Sequence, residues 1–171
     1  MVSGLYDTHF HLDLFEEPER LISSIERKKI YTIAVTNLPF LYKRFISRYD
    51  SKYIKPAIGF HPELVSPKYM NQMPYLLEMI NGVKYIGEIG IDLTRNLENK
   101  ELQIEVFTQI IEACNNCGNK ILTIHSRGAS EVVVDLIGKS FNSIAIMHWY
   151  SGNFGVLEKA LKNGLYFSIN H

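Results

Sequence analysis

Five side chains suited to gripping a metal ion are spread along this 171-residue sequence, each at or just after the end of an apolar, β-prone run. His9 and His11 fall in Asp7-Thr8-His9-Phe10-His11, and Glu88 in Gly87-Glu88-Ile89-Gly90-Ile91-Asp92. His125 opens His125-Ser126-Arg127, and His148 follows Met147 and precedes Trp149-Tyr150. Residues two apart on a strand project from the same side, so His9 and His11 can aim both imidazoles into one space and chelate a single ion. Three imidazole-bearing strands and one carboxylate-bearing strand, converging at one end of a sheet, supply the nitrogen and oxygen donors that zinc, manganese and similar divalent ions take. The chemistry expected is metal-dependent hydrolysis.

Each residue has a plainer alternative. Glu88 sits between glycines in a run built for burial, where a carboxylate is costly unless it is paired or metal-bound, so the alternative is a buried salt bridge. Because a carboxylate can bind through both oxygens, Glu88 is also the natural bridge of a two-metal site. His125 and Arg127 share a face if the strand persists, which sets a guanidinium fork beside the metal to hold a phosphate; a structural pair between Arg127 and a carboxylate is the alternative. His148 ends the apolar run Ile144-Ala145-Ile146-Met147 and is expected at the mouth of the site, against a default of a lone core histidine. His61, in Gly59-Phe60-His61-Pro62, can hydrogen-bond substrate or carry a proton, or merely pack beside Pro62. Trp149 and Tyr150 can stack a base at the rim or serve packing alone. His171 has no assigned role.

Seven runs must place these groups: around Leu5–His9, Tyr31–Thr36, Ala57–Phe60, Tyr85–Ile89, Ile121–His125, Ile144–His148 and Leu165–Ile169. Helical patterns lie between most of them. One starts at Glu17-Pro18, another carries Leu102, Val106, Ile110, Ala113 and Cys117 on one stripe, and Asn153 to Asn163 ends at the capping Gly164. Strand alternating with helix is the grammar of a parallel sheet. Donors from the first, fourth, fifth and sixth strands favour a (β/α)8 TIM-type barrel, whose reactive residues sit at the carboxyl ends of all its strands, over a doubly wound sheet with its single switch point. The whole chain, residues 1–171, is expected to be one such domain, incomplete, since an eight-fold barrel takes about 250 residues and only seven strand runs are countable. Open edges on the first and seventh strands would invite a protein partner or self-association.

The bulk properties exclude little. The content of 46% hydrophobic and 21% charged residues is that of an ordinary folded domain, and 18 basic against 18 acidic side chains leave no global field to gather nucleic acid, so a polyanion must be held locally. With no leader-like or membrane-spanning run, the expected compartment is the cytoplasm. Cys114 and Cys117 lack a second pair for a zinc knuckle and are expected to be free thiols.

The ordered set Asp-Thr-His-x-His, Gly-x-His-Pro, Gly-Glu-x-Gly-x-Asp, His-x-Arg and the later histidine, running from Asp7 nearly to His171, resembles the TatD family of metal-dependent deoxyribonucleases. The segments Ile121–Arg127 and His148–Gly152 also resemble the TatD-like component of Qat anti-phage operons. The resemblance implies that His9, His11 and Glu88 hold one ion, that Glu88, His125 and His148 hold a second, and that His61 and Arg127 place the phosphate. It implies two divalent ions (Zn, Mn or Mg) and a DNA substrate, single-stranded or taken at its 3′ end. The family's further aspartate, within a Glu-Thr-Asp motif on strand eight, has no counterpart here. Two other expectations stand beside 3′–5′ exonuclease-like hydrolysis: an amidohydrolase-type enzyme acting on C–N or ester bonds, and a non-catalytic partner subunit.

Overall fold

The computed structural model describes residues 4–169. His171 and the first three residues lie outside them. Seven strands run parallel: β1 (Tyr6–Phe10), β2 (Tyr31–Val35), β3 (Ile54–Ala57), β4 (Tyr85–Gly90), β5 (Ile121–His125), β6 (Ile144–Met147) and β7 (Tyr166–Phe167). Between them lie α1 (Pro18–Lys28), α2 (Pro39–Arg48), α3 (Met73–Ile80), α4 (Lys100–Cys117), α5 (Ser130–Ile137) and α6 (Phe154–Lys162). The ladders follow chain order, β1-β2-β3 and β4-β5-β6-β7. A parallel bridge from Ile58 to Ile86 joins them into one wall. This is the α/β, TIM-type architecture expected, with seven strands among the described residues.

The elements start where local chemistry lets them. Prolines occupy the first turns of α1, α2 and α3, where a missing N–H is no loss. The Asn153 side chain accepts the Val156 N–H at 3.0 Å to cap α6, which stops just short of Gly164. The main core packs Ile58, Phe60, Ile86, Ile89, Leu122 and Ile124 from the wall against the covering helices. A smaller cluster joins Leu12, Ala34, Phe45 and Ile54 beneath α1 and α2. No helix of the described residues is long and apolar enough to cross a membrane.

Two expectations shift. The third strand, expected at Ala57–Phe60, lies at Ile54–Ala57, because that stretch ladders with Thr32–Val35; beyond Ala57 the chain crosses to β4. On α4 the buried face is Gln103, Val106, Phe107, Ile110, Ile111 and Cys114, rotated from the apolar stripe, with Cys117 exposed. The cause is Gln103, whose amide accepts the Asp92 N–H at 2.7 Å and donates to the Asp92 and Asn96 carbonyls, drawing a polar residue to the core side. Both cysteines are free, and burial pushes the Cys114 thiol up to about 12.

Candidate metal centre

Glu88 is the hub. Its side chain is 3% exposed, and four imidazoles surround it. Oε2 lies 3.3 Å from His9 Nε2, 3.1 Å from His11 Nε2 and 3.5 Å from His61 Nε2, while Oε1 lies 3.1 Å from His125 Nδ1. The backbone brings it there through a close crossing. Thr36, just past β2, donates its N–H to the Gly87 carbonyl at 3.1 Å and accepts the Glu88 N–H at 3.2 Å. Gly59 passes so near that a Cβ there would stand 2.0 Å from the Thr36 carbonyl oxygen and 2.4 Å from the Glu88 nitrogen. Gly90 makes the matching approach to β5, where an added Cβ would meet the His125 carbonyl oxygen at 2.0 Å. These glycines let three strand ends close around one carboxylate.

His9 and His11 behave as a chelating pair would, with Nε2 atoms 3.1 Å apart and both aimed at Glu88 Oε2. Donors around a tetrahedral ion with bonds of about 2.0–2.2 Å stand roughly 3.4 Å apart, so this spacing fits one divalent cation. The His9 ring is steadied at its other nitrogen. Thr123 Oγ1 lies 2.8 Å from His9 Nδ1. The buried Nδ1 of His11 has no hydrogen-bond partner among the described residues and faces Asp13 Oδ1 at 3.9 Å, while the other carboxylate oxygen, Oδ2, accepts from the Asn37 backbone and side-chain N–H groups. A side chain that orients a ligating imidazole, as Thr123 orients His9, is the usual outer layer of a metal site.

His125 sits between two carboxylates, its Nε2 only 2.7 Å from Asp92 Oδ2. Three donor groups thus gather: His9, His11 and Glu88; His61, Glu88 and His125; and Glu63, Asp92 and His125. His148, expected among the ligands, lines the same cavity but stands beside the cluster, its ring stacked on His9 at 3.4 Å between centroids and its Nδ1 3.2 Å from Ser168 Oγ. Arg127 NH1 lies 3.5 Å from Glu63 Oε1 and 3.9 Å from Asp92 Oδ2. Both contacts are long, and at 38% exposure the guanidinium still faces the cavity of about 580 Å³. Asp92 and Glu63 went unassigned in the sequence, although Asp92 closes the Glu88 motif and Glu63 follows His61 by two.

Electrostatics follow from this crowding. Burial alone would raise the Glu88 carboxyl, but hydrogen bonding from His11, His125, His61 and His9 outweighs it and keeps the group ionised. Burial likewise opposes charge on His125, yet the Glu88 and Asp92 carboxylates hold its affinity for a proton above normal. Burial, with His9 beside it, depresses His148 to about 4, so its ring is neutral at pH 7 with a lone pair to offer. Ionised carboxylates and imidazoles whose lone pairs converge are the donor set of a hydrolytic divalent-metal centre.

The chain is similar to known proteins in sequence and in fold. The chain is 30% identical over 176 residues to the "Uncharacterized metal-dependent hydrolase YabD" of Bacillus subtilis (strain 168), covering 96% of this chain and 68% of that protein. It is 29% identical over 86 residues to the "3'-5' ssDNA/RNA exonuclease TatD" of Enterobacter lignolyticus (strain SCF1), over 49% of this chain and 33% of that one. The fold superposes on the crystal structure of YjjV, a TatD homologue from Escherichia coli K12, with a TM-score of 0.77 at 20% identity, covering 98% of this chain and 68% of that one. The chain therefore spans about two thirds of the proteins it matches along its whole length. Residues 6–171 match the TatD related DNase family, and with the carboxylate hub and its converging histidines this makes the chain a member of that family of metal-dependent hydrolases.

Proposed function

We propose that this chain hydrolyses phosphodiester bonds of DNA at a two-metal site, removing nucleotides from 3′ ends. The observation that carries this is the division of the Glu88 carboxylate, one oxygen turned to His9 and His11 and the other to His125. On this assignment His9, His11 and Glu88 hold the first ion, and Glu88, His125 and His148 the second. When bound, such ions lower the pKa of a water nucleophile and offset charge gathering on the phosphate.

The other residues have separable tasks. His61 Nδ1 accepts the Glu63 N–H at 3.2 Å, which leaves its proton on Nε2, facing the cavity centre. It is therefore a hydrogen-bond donor to a phosphoryl oxygen, in contrast to the ligating rings. Arg127 offers its fork to the same phosphate once its loose pairs with Glu63 and Asp92 give way. A balanced overall charge, 18 basic against 18 acidic side chains, supports gripping one strand end over tracking a long duplex. The similarity to the Enterobacter 3'-5' ssDNA/RNA exonuclease supports the same substrate class.

The test is a single-stranded oligonucleotide labelled at its 5′ end and incubated with protein and manganese. Stepwise shortening from the 3′ end is expected, lost in Glu88→Gln and His125→Ala. Undiminished activity in both variants would refute the assignment. Absence of nucleotide release, with no inhibition of ester or amide hydrolysis by oligonucleotides, would favour a C–N or ester hydrolase instead. A second role, as a partner subunit, has one observation in its favour: a cavity of about 490 Å³ between β1 and β6, lined by Leu5, Tyr6, Ile146 and Trp149. It predicts a complex or self-association, visible by sedimentation, that survives mutation of His9 and His11.

A further inference from the structure

We infer that Trp149 is a stacking platform that takes a nucleobase of the substrate while the adjoining phosphate lies toward Arg127. This rests on the nucleolytic role proposed above and adds the base as a recognised element. Trp149 follows His148 directly, and on an extended strand the two side chains would point to opposite faces. Instead Trp149 has φ +45°, a backbone region that a bulky residue seldom enters. The turn folds its indole beside the His148 ring, 5.1 Å between centroids and 22° from parallel. His148 is in turn stacked on His9 at 3.4 Å. The three rings form a column from the ligand cluster to the rim.

The conformation is tied down on both sides. The Trp149 N–H donates to Ser168 Oγ and the Tyr150 N–H to the Ser168 carbonyl, both at 3.0 Å, while the His148 N–H donates to the Ile124 carbonyl at 2.8 Å. A left-handed residue held in this way belongs to the kind of outlier that clusters where ligands are gripped. Packing does not account for it, because the residue remains 53% exposed. Its neighbour shows the contrast. Tyr150 is built into the fold, with its ring edge against Phe167 and its hydroxyl donating to the Asn153 carbonyl. Trp149 instead lines the cavity that also holds His61, Glu88 and Arg127 while remaining half exposed, which leaves its ring accessible to a ligand there. The ligand that continues such a column is flat, aromatic and uncharged, and every nucleobase qualifies, so the grip is sequence-tolerant.

Trp149 is the sole tryptophan of the chain, so intrinsic fluorescence reports on this residue alone. The experiment titrates the protein, with manganese, against two phosphorothioate-linked single strands of equal length, an oligothymidylate and its abasic counterpart. Quenching by the oligothymidylate and none by the abasic strand is expected. By anisotropy of labelled strands, Trp149→Ala should bind the oligothymidylate about tenfold more weakly, or worse, with abasic binding unchanged, and Trp149→Phe should keep most of the affinity. Equal binding of both strands without quenching would overturn the platform and leave the nuclease assignment standing. If neither strand binds and unmodified DNA is not cut, the nuclease assignment fails and the platform falls with it.

Discussion

Replacing Glu88 with glutamine keeps its volume and removes its charge, which separates a metal bridge from a structural ion pair. In the metal-free protein two effects oppose each other. The amide loses charge-assisted contacts with the imidazoles, each worth about 1.5–3 kcal/mol, and also relieves the several kcal/mol needed to bury a carboxylate. Because the imidazole contacts outweigh the burial cost, Glu88→Gln should melt lower than the wild type even without metal. With metal present the gap should widen. An ion at a hundred times its dissociation constant adds about 2.7 kcal/mol, and two add about 5, which in a chain of 171 residues raises the melting temperature by roughly 10–20 °C. A hundredfold loss of affinity at both positions cuts this to under about 1 kcal/mol, or roughly 2–4 °C. His125→Ala, which leaves His9, His11 and Glu88 together, should keep about half of the wild-type gain. The assay is calorimetric melting with and without manganese, with ion content counted by mass spectrometry. If Glu88→Gln retains the full metal-induced gain, Glu88 is a structural counter-charge and the bridging assignment is wrong.

Gly59→Ala should cost about 3 kcal/mol or more in urea denaturation, because the new Cβ, 2.0 Å from the Thr36 carbonyl oxygen, meets backbone that cannot swing away. In the metal-free protein His148, depressed to about 4, refuses a proton that the unfolded chain accepts at its ordinary value near 6.5. Stability is then unaffected above about pH 6.5 and falls as the pH drops toward 4; between pH 7 and 5 the loss attributable to His148 is about 1–2 kcal/mol, allowing for solvent screening. Urea midpoints in chelator should show His148→Asn spared that loss; an equal acid sensitivity in both proteins would count against a neutral, buried ring. Finally, a thiol reagent should label Cys117 in the folded protein and Cys114 only after denaturation.

The donors were legible in the sequence because a parallel α/β wall gathers the carboxyl ends of its strands at one rim, so strand-end histidines and a glycine-flanked glutamate converge by topology. What escaped depends on contacts that periodicity does not encode. The third strand was displaced by three residues because the stretch to Phe60 is buried by the crossing to β4, and burial without ladder pairing gives the same apolar run as a strand. The face of α4 was misplaced because Gln103, polar by composition, is held inside by backbone partners at Asp92 and Asn96. Asp92 and Glu63 went unassigned because their part depends on which histidine nitrogen and which guanidinium they meet.

The register of the wall breaks where the candidate ligands sit. The β1–β2 ladder slips between Asp7 and Phe10, on either side of His9, and the β4–β5 ladder slips between Ile86 and Ile89, on either side of Glu88. The β3–β4 junction shrinks to the single Ile58–Ile86 bridge just before Glu88. A regular parallel ladder sends successive side chains to alternate faces, whereas an irregularity re-aims one residue at the expense of local pairing. Where His9 and Glu88 leave the ladder, the lost pairing is replaced by contacts that a regular sheet would not make, such as the exchange of hydrogen bonds between Thr36 and residues 87 and 88. The site is thus bound up with the part of the wall whose register is broken, and metal binding should tighten that part most. Amides of residues 34–37 and 86–90 should gain more hydrogen-exchange protection from manganese than those of the β5–β6 ladder, whose register is unbroken from Ile121 to Ile124. Uniform protection across the wall would mean that the ions stabilise the fold as a whole and that the broken register is incidental to the site.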